Sequence, residues 1–190
     1  QYDDNGGTHL SIEYDKKTIR YDHVDKNNAY SIRCLSDETQ TTTILVPENF
    51  ATIQEAIDYS IDGDTILVSA GTYYENINFN GKNIALIGED RETTIIDGGQ
   101  NGSVVTFENE ENAIFSDFTI QNGYEFGDGA GGLSATNSSL NISNLIIINN
   151  DGGMSGGGIL FDSSNLTAIN LIIESNEATH GGAISFSQST

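Results

Sequence analysis

The amino-acid sequence predicts an all-β protein whose main part is a right-handed parallel β-helix, a solenoid in which short strands stack coil upon coil. Two observations support this fold class. From Asp64 onward, short β-type runs alternate with Gly, Asn and Asp turns, a pattern typical of short strands joined by tight turns. In the second half of the chain the same residues also recur at a regular period, which indicates a repeat architecture.

The repeat is clearest in two pairs of segments separated by 26 residues (Asn144 to Asn170): Asn144–Ile147 matches Asn170–Ile173, and Gly131–Ala135 matches Gly157–Phe161. Three strands and three turns per repeat suit coils stacked about 4.8 Å apart. An antiparallel sandwich is the alternative all-β fold, but it does not require identical columns in consecutive repeats.

Equivalent positions of the repeat are expected to stack. The pattern places Phe118, Leu145 and Leu171 in the core, and it places Asp117, Asn144 and Asn170 at one turn as a ladder of side-chain hydrogen bonds. Twelve of the 21 glycines lie between Gly123 and Gly182, mostly as Gly-Gly pairs. We expect these pairs to supply the positive φ of tight turns.

A short capping α-helix is predicted before the first coil. Thr52 and Glu55 have the spacing of a capping box. Ile53, Ala56 and Ile57 form one apolar face, and Gly63 is expected to end the helix. Such a one-sided helix has to cover an apolar surface, which the end of the β-helix provides.

The chain divides into two parts. Residues 1–40 are interpreted as a small antiparallel β fragment, the C-terminal end of a β-rich module, followed by a linker. Its strands are indicated by alternation at Leu10, Ile12 and Tyr14 and again from Tyr30 to Cys34. Residues 41–190 are interpreted as the β-helix, ending inside a repeat. Cys34 is alone, so it is either a reduced core residue or half of a bridge to a partner outside this chain.

Composition excludes some classes of function. The formal net charge is −21, which excludes a nucleic-acid binder held by phosphate contacts and disfavours docking on an anionic membrane. No apolar run approaches the roughly 18 residues of a membrane span. From Glu92 onward there are twelve acids and no Lys or Arg. Such an acidic surface could attract divalent cations such as calcium, or could simply be solvated. We expect no other cofactor. No compact metal-ligand motif is present.

The best local candidates for binding lie in a Gly-rich loop. Tyr124 and Phe126 could stack on sugar rings or dock a partner, or could simply cover a coil edge. Asp128 and Asp151 occupy loops of consecutive coils and could approach each other as a pair of carboxylates, although Asp-Gly is first of all a turn signal. His180 precedes a glycine in a turn, where a lone histidine is usually solvated. No catalytic residue is assigned, and no metal ligand.

Several motifs resemble a known family. The first set of motifs consists of Val46-Pro47, Thr52–Ile57, Asp62–Ile66, Gly71–Tyr73 and Thr94–Gly98. It resembles the amino-terminal cap and first coils of pectin-lyase-like β-helix proteins, and of pectin methylesterases in particular. The later segment from Ser175 to Ile184 is similar to repeats of polymorphic outer-membrane proteins and bacterial surface adhesins. The stretch from Asn27 to Asp37 resembles the closing strands of the Fibrobacter succinogenes major paralogous domain, a module of secreted bacterial proteins.

What the resemblance implies about function is limited by the missing motifs. The catalytic runs of pectin methylesterases, Q-A-V-A-L and G-Y-Q-D-T-L, are replaced here by Gly131–Ala135 and Asn149–Met154, and no Arg follows Arg91. The first hypothesis is therefore a non-catalytic segment of a secreted or cell-surface bacterial protein, a repeat scaffold for adhesion or polysaccharide binding. The second is a polysaccharide lyase or esterase whose active site lies partly outside this chain. Either hypothesis makes a polysaccharide or surface glycan the expected partner.

Overall fold

The structure is a computed structural model that describes residues 10–13, 18–21, 41–109, 111–127 and 129–187. The chain forms two compact units, Gln1–Glu38 and Thr39–Thr190. In the first unit, strands β1 (Leu10–Glu13) and β2 (Thr18–Tyr21) pair antiparallel, as the sequence predicts. The strand predicted from Tyr30 to Cys34 lies outside the described residues.

The described residues of the second unit form one short helix and fourteen strands. In chain order its elements are β3 (Thr43–Val46), α1 (Ile53–Tyr59), β4 (Thr65–Val68), β5 (Gly71–Tyr74), β6 (Ile77–Asn78), β7 (Ala85–Gly88), β8 (Thr94–Asp97), β9 (Val105–Phe107), β10 (Asn112–Ser116), β11 (Thr119–Gln121), β12 (Leu133–Thr136), β13 (Ser139–Ile148), β14 (Ile159–Asp162), β15 (Asn165–Glu174) and β16 (Ile184–Ser187).

These strands form a parallel β-solenoid of six coils. The first sheet consists of β3, β4, β7, β10 and the first halves of β13 and β15. The second contains β5, β8, β11 and the second halves of the same two long strands. The third contains β6, β9, β12, β14 and β16. Every pairing between these strands is parallel, which confirms the predicted solenoid.

The core is built from residues stacked at the same position of successive coils. In the first sheet Ile66, Leu86, Phe115 and Ile142 are in register, and all are buried. Within coil four, the Phe115 and Phe118 rings stack at a centroid distance of 4.9 Å. Phe118 and Leu145 are buried as predicted, and Leu171 packs on the same core.

The corner between the first and second sheets is a ladder of left-handed residues. Asp117, Asn144 and Asn170 have φ of 66°, 53° and 55°, a region that Asn and Asp enter at least cost among residues with a side chain. Asn144 Nδ2 donates to Asp117 Oδ1 at 3.1 Å, and Asn170 Nδ2 donates to Asn144 Oδ1 at 2.7 Å. The predicted ladder is confirmed, and β13 and β15 run through the corner as single strands.

Some glycines of the Gly-Gly pairs have a different role from the one expected. Gly132 and Gly158 are not among the residues with positive φ. A Cβ on Gly132 would lie 2.3 Å from the Gly158 carbonyl oxygen, and one on Gly158 would lie 2.6 Å from the Ala183 carbonyl oxygen. The predicted positive φ is therefore found at Gly153 and Gly181 but not at Gly132 and Gly158, where close stacking of neighbouring backbones is what excludes a side chain.

Helix α1 covers the first coils and is held at both ends. Ile53, Ala56 and Ile57 are buried, and the Thr52 hydroxyl accepts the Glu55 amide at 3.2 Å. The carboxylate of Glu75, from the second coil, accepts the amides of Ile53 and Gln54 at 2.9 and 3.0 Å.

The sequence led us to expect that Gly63 ends the helix, and this expectation was wrong. The helix ends at Ser60, whose N–H is bound to the carbonyls of Ala56 and Ile57. The ammonium of Lys82 donates to the carbonyls of Ile57, Asp58 and Ser60 at 2.6, 2.6 and 2.8 Å. A lysine from the next coil therefore satisfies the last carbonyls of the helix.

Candidate functional site

Coils four, five and six each carry a loop between the second and third sheets, and these three loops stack on one another. Tyr124, Asp151 and Glu177 pair in register as isolated bridges. The Glu125 amide donates to the Asp151 carbonyl at 2.9 Å, and the Gly152 amide donates to the Glu177 carbonyl at 2.9 Å. Because each loop is hydrogen-bonded to the next, side chains at equivalent loop positions are held about one coil spacing apart.

The two aromatic residues singled out from the sequence lie on the first of these loops. Tyr124 is 39% exposed and Phe126 is 71% exposed. Gly153, on the next loop, has φ of 56°, and a Cβ there would lie 2.9 Å from the Glu125 carbonyl oxygen and 3.2 Å from the Phe126 Cα. The Phe126 segment therefore rests against a glycine, and the ring remains open to solvent.

Two residues that sequence reasoning did not place in the site extend it across the other loops. Met154 is 57% exposed and immediately follows Gly153. His180 is exposed, its amide donates to the Met154 carbonyl at 3.0 Å, and its Nδ1 lies 3.2 Å from the same oxygen. We call the surface formed by Tyr124, Phe126, Met154 and His180 the loop ridge. Met154 is the chain's single methionine, but only the coil register shows that its loop stacks on the loop of Phe126.

The carboxylates near the loop ridge are partly engaged in local structure. Asp151 Oδ1 accepts the Gly153 amide at 2.8 Å, and Glu125 Oε1 accepts the Gly127 amide at 2.8 Å. Asp128 lies outside the described residues, so its predicted approach to Asp151 stays a prediction. Each of these two carboxylates accepts a backbone amide two residues further along its own loop and so stabilises a turn. This is the structural role that the Asp of an Asp-Gly sequence most often has.

A buried carboxylate beneath the first loop was not foreseen from the sequence. Asp97 is 8% exposed, and its Oδ2 accepts Gln121 Nε2 and Asn122 Nδ2, both at 2.8 Å. Burial raises the pKa of Asp97, but these bonds and the one from the Gly99 amide outweigh it, leaving the pKa below its ordinary value. Asp97 thereby fixes Asn122, where the loop of coil four begins.

The surface of the three loops combines acidic and apolar side chains. Glu125, Asp151 and Glu177 lie on them, and the sequence has no Lys or Arg after Arg91. An anionic sugar chain would meet like charge here, whereas a neutral sugar would not. Among the described residues, no group of three or more His, Cys, Asp or Glu side chains is placed to hold a metal ion. In the same part of the chain, no helix is long and apolar enough to cross a membrane.

These observations define the class of protein: a parallel β-solenoid with a helical cap and a flank of stacked loops. No protein-family model matches the chain, and no curated protein sequence matches it. Among solved structures, it is similar to a pectin methylesterase in complex with a hexasaccharide (17% identity, TM-score 0.47), covering 68% of this chain and 49% of that one.

Two further pectin methylesterases show the same degree of likeness. PemA from Erwinia chrysanthemi is 16% identical with a TM-score of 0.46, and covers 68% of this chain and 49% of its own. The carrot enzyme is 17% identical with a TM-score of 0.44, and covers 68% and 52%. The chain spans about half the length of these structures. The fold assignment rests on the strand register of this chain.

Proposed function

We propose that this chain is a non-catalytic, polysaccharide-binding segment of a secreted or cell-surface protein, with the loop ridge as its binding surface. The observation that carries the proposal is the exposure of Phe126, held by its backbone against Gly153 at the junction of two stacked loops. An aromatic ring kept in the solvent by a fixed backbone loses little freedom on binding, and its flat apolar face suits the C–H face of a sugar ring.

The repeat geometry of the loops supports a chain-like ligand. The register places Gly153 and Thr179 opposite Phe126, and Met154 and His180 each follow these positions by one residue. The loops that carry Phe126, Met154 and His180 stack at intervals of about 4.8 Å. This interval is close to the length of one sugar unit in an extended glycan. A glycan lying along the solenoid axis would therefore meet one ridge residue per sugar unit. The acidic surroundings favour a neutral glycan over a polyuronate.

A glycan-binding screen with and without calcium, scored also for chain cleavage, tests the proposal. We expect binding without cleavage. Tyr124→Ala and Phe126→Ala are each expected to weaken binding by about three- to tenfold. The matched control is Tyr59→Ala, which removes an aromatic ring that is 68% exposed on helix α1 and should leave affinity unchanged.

Two results would reject the proposal. Equal affinity of Phe126→Ala and the unmodified chain would remove the loop ridge as the binding surface. Cleavage of a bound glycan would replace the scaffold hypothesis with the lyase or esterase hypothesis.

A further inference from the structure

The turn that carries Met154 has a fixed backbone. The Gly152 amide donates to the Glu177 carbonyl of the next coil at 2.9 Å, and the His180 amide donates to the Met154 carbonyl at 3.0 Å. Within the turn, the Ser155 amide donates to the Gly152 carbonyl at 3.2 Å. Because the backbone is bonded on both sides of residue 154, its side chain cannot become buried without breaking the stack of loops.

Met154 carries the one sulfur atom among the residues that the structure describes. It is the chain's single methionine, and the chain's single cysteine, Cys34, belongs to the first unit. Met154 is 57% exposed. A buried methionine is shielded from oxidants by the side chains packed around it, whereas more than half of this residue's surface is open to solvent. Its thioether is therefore open to small oxidants in the surrounding water.

We propose that Met154 is a site of reversible oxidation, and that its oxidation weakens glycan binding by the loop ridge. The oxidant is a neutral peroxide such as hydrogen peroxide, because Glu125, Asp151 and Glu177 on the three loops repel an anionic oxidant.

The oxidation transfers one oxygen atom and two electrons. A lone pair of the Met154 sulfur attacks one oxygen of hydrogen peroxide, and the O–O bond breaks. The departing hydroxide takes up the proton of the transferred oxygen, so the products are methionine sulfoxide and water. The sulfur loses two electrons and the peroxide gains them. Methionine sulfoxide reductases reverse the step with two thiols as the reductant, which yields the thioether, a disulfide and water.

The sulfoxide changes the polarity of the loop ridge and leaves its framework in place. The hydrogen bonds that stack the loop of Met154 on its neighbours are made by backbone atoms at this residue. An S=O group is strongly hydrated, so a sugar ring that packs its C–H face on residue 154 must first remove that water. We expect affinity to fall about three- to tenfold. This effect rests on the proposed function, whereas the oxidation itself does not.

Peroxide kinetics of the 190-residue chain test the modification site without any glycan. Peptide mapping by mass spectrometry follows the gain of one oxygen atom at Met154 separately from any change at Cys34. We expect Met154 to react at a rate within about threefold of that of free methionine, and the two methionine sulfoxide reductases, with dithiothreitol, to remove the oxygen. A rate more than about tenfold below that of free methionine would overturn the proposal. So would a sulfoxide that the reductases leave in place.

Binding of two neutral glycans, cellohexaose and mannohexaose, tests the consequence. Met154→Leu keeps an apolar side chain without sulfur, so it should bind like the unmodified chain and should not respond to peroxide. Met154→Gln places a polar amide near the position of the sulfoxide oxygen, so it should bind about three- to tenfold more weakly with no peroxide added. Circular dichroism establishes that each variant is folded.

The outcomes separate this proposal from the proposed function. Equal affinity of the oxidised and reduced chains, while Phe126→Ala still weakens binding, would overturn the regulation and leave the proposed function standing. An equal loss of affinity in peroxide-treated Met154→Leu would also overturn it, because the oxidation that matters would then lie elsewhere. If the unmodified chain binds neither of the two hexasaccharides nor any glycan of the wider screen, the proposed function is rejected together with the effect of Met154 on binding.

Discussion

Asn176 Oδ1 accepts two hydrogen bonds from Asn150 on the preceding coil, one from the backbone amide and one from Nδ2, each 3.0 Å long. Asn150 is 1% exposed. It also donates to the Ile120 carbonyl at 3.2 Å and accepts the Gly123 amide at 2.8 Å. One buried asparagine therefore connects coils four, five and six at the base of the stacked loops.

Replacing this asparagine with aspartate should destabilise the solenoid. In Asn150→Asp an acceptor faces the two acceptors Ile120 O and Asn176 Oδ1, so we expect a loss of about 3 kcal/mol in the free energy of unfolding near neutral pH. Burial and these acceptors should raise the pKa of the new carboxyl in the folded chain. The loss should therefore be largest above the carboxyl's raised folded pKa and shrink as the pH falls toward its unfolded pKa.

Urea denaturation at several pH values measures this effect. Asn149→Asp is the control, because Asn149 is the neighbouring residue, is exposed and has φ of 57°. A destabilisation that is equal in both variants, or that does not depend on pH, would contradict the role given to Asn150.

Glu111 should make the stability of the coils sensitive to acid. It is fully buried. Burial raises its pKa, but hydrogen bonds from the Ser138 hydroxyl and the Asn109 and Gly81 amides outweigh it, and the pKa lies below its ordinary value of 4.5. A carboxyl with a lowered folded pKa contributes stability that is complete above its unfolded pKa and is lost as the pH falls through the folded pKa.

The test compares Glu111→Gln with the unmodified chain in urea as a function of pH. At neutral pH we expect the variant to be less stable by about 2–4 kcal/mol, since its amide nitrogen would face N–H and O–H donors. The difference should narrow below pH 4.5. Glu92→Gln, at an exposed position, should show neither effect. A difference that stays constant down to acid unfolding would reject this assignment.

Lys82 should be needed for the helical cap. Lys82→Met removes the three bonds to the last carbonyls of α1 while keeping an aliphatic side chain of similar length. We expect a loss of about 2 kcal/mol and faster amide hydrogen exchange at Ser60. Arg91→Met removes the same charge elsewhere and should leave that exchange unchanged. Equal effects of the two variants would mean that net charge, not capping, is responsible.

The fold could be predicted from the sequence because the same residue types recur at equivalent positions of successive coils. Asp117, Asn144 and Asn170 recur in the same register, and the structure places them at one corner for the reason their residue types suggest. Short elements with local signals, such as the Thr52 N-cap, were also predictable. These features depend on neighbours in sequence or on equivalent residues one repeat away.

Contacts that depend on the exact stacking of unlike segments were not predictable. Lys82 is 22 to 25 residues from the carbonyls that it caps, and no local pattern marks it. The Gly-Gly pairs were seen, but only the distance between coils shows that they are needed for space. In the candidate site, Tyr124 and Phe126 were found from their Gly-rich loop, whereas Met154 and His180 joined them only through the register of the coils.

Gly153 should control the position of Phe126. A methyl group at residue 153 would meet both the Glu125 carbonyl oxygen and the Phe126 Cα, at 2.9 and 3.2 Å. Gly153→Ala should therefore shift the aromatic segment and weaken glycan binding by about as much as Phe126→Ala. Gly99→Ala is a closely matched control, because Gly99 has φ of 59° and a Cβ there would meet nothing within 4 Å. Alanine at positive φ costs each variant about 1 kcal/mol of backbone strain, and the urea midpoints of the two variants measure this shared strain. The difference between their glycan affinities measures the displacement of Phe126. If Gly153→Ala binds glycan as well as Gly99→Ala, the support of Phe126 by Gly153 has no part in binding.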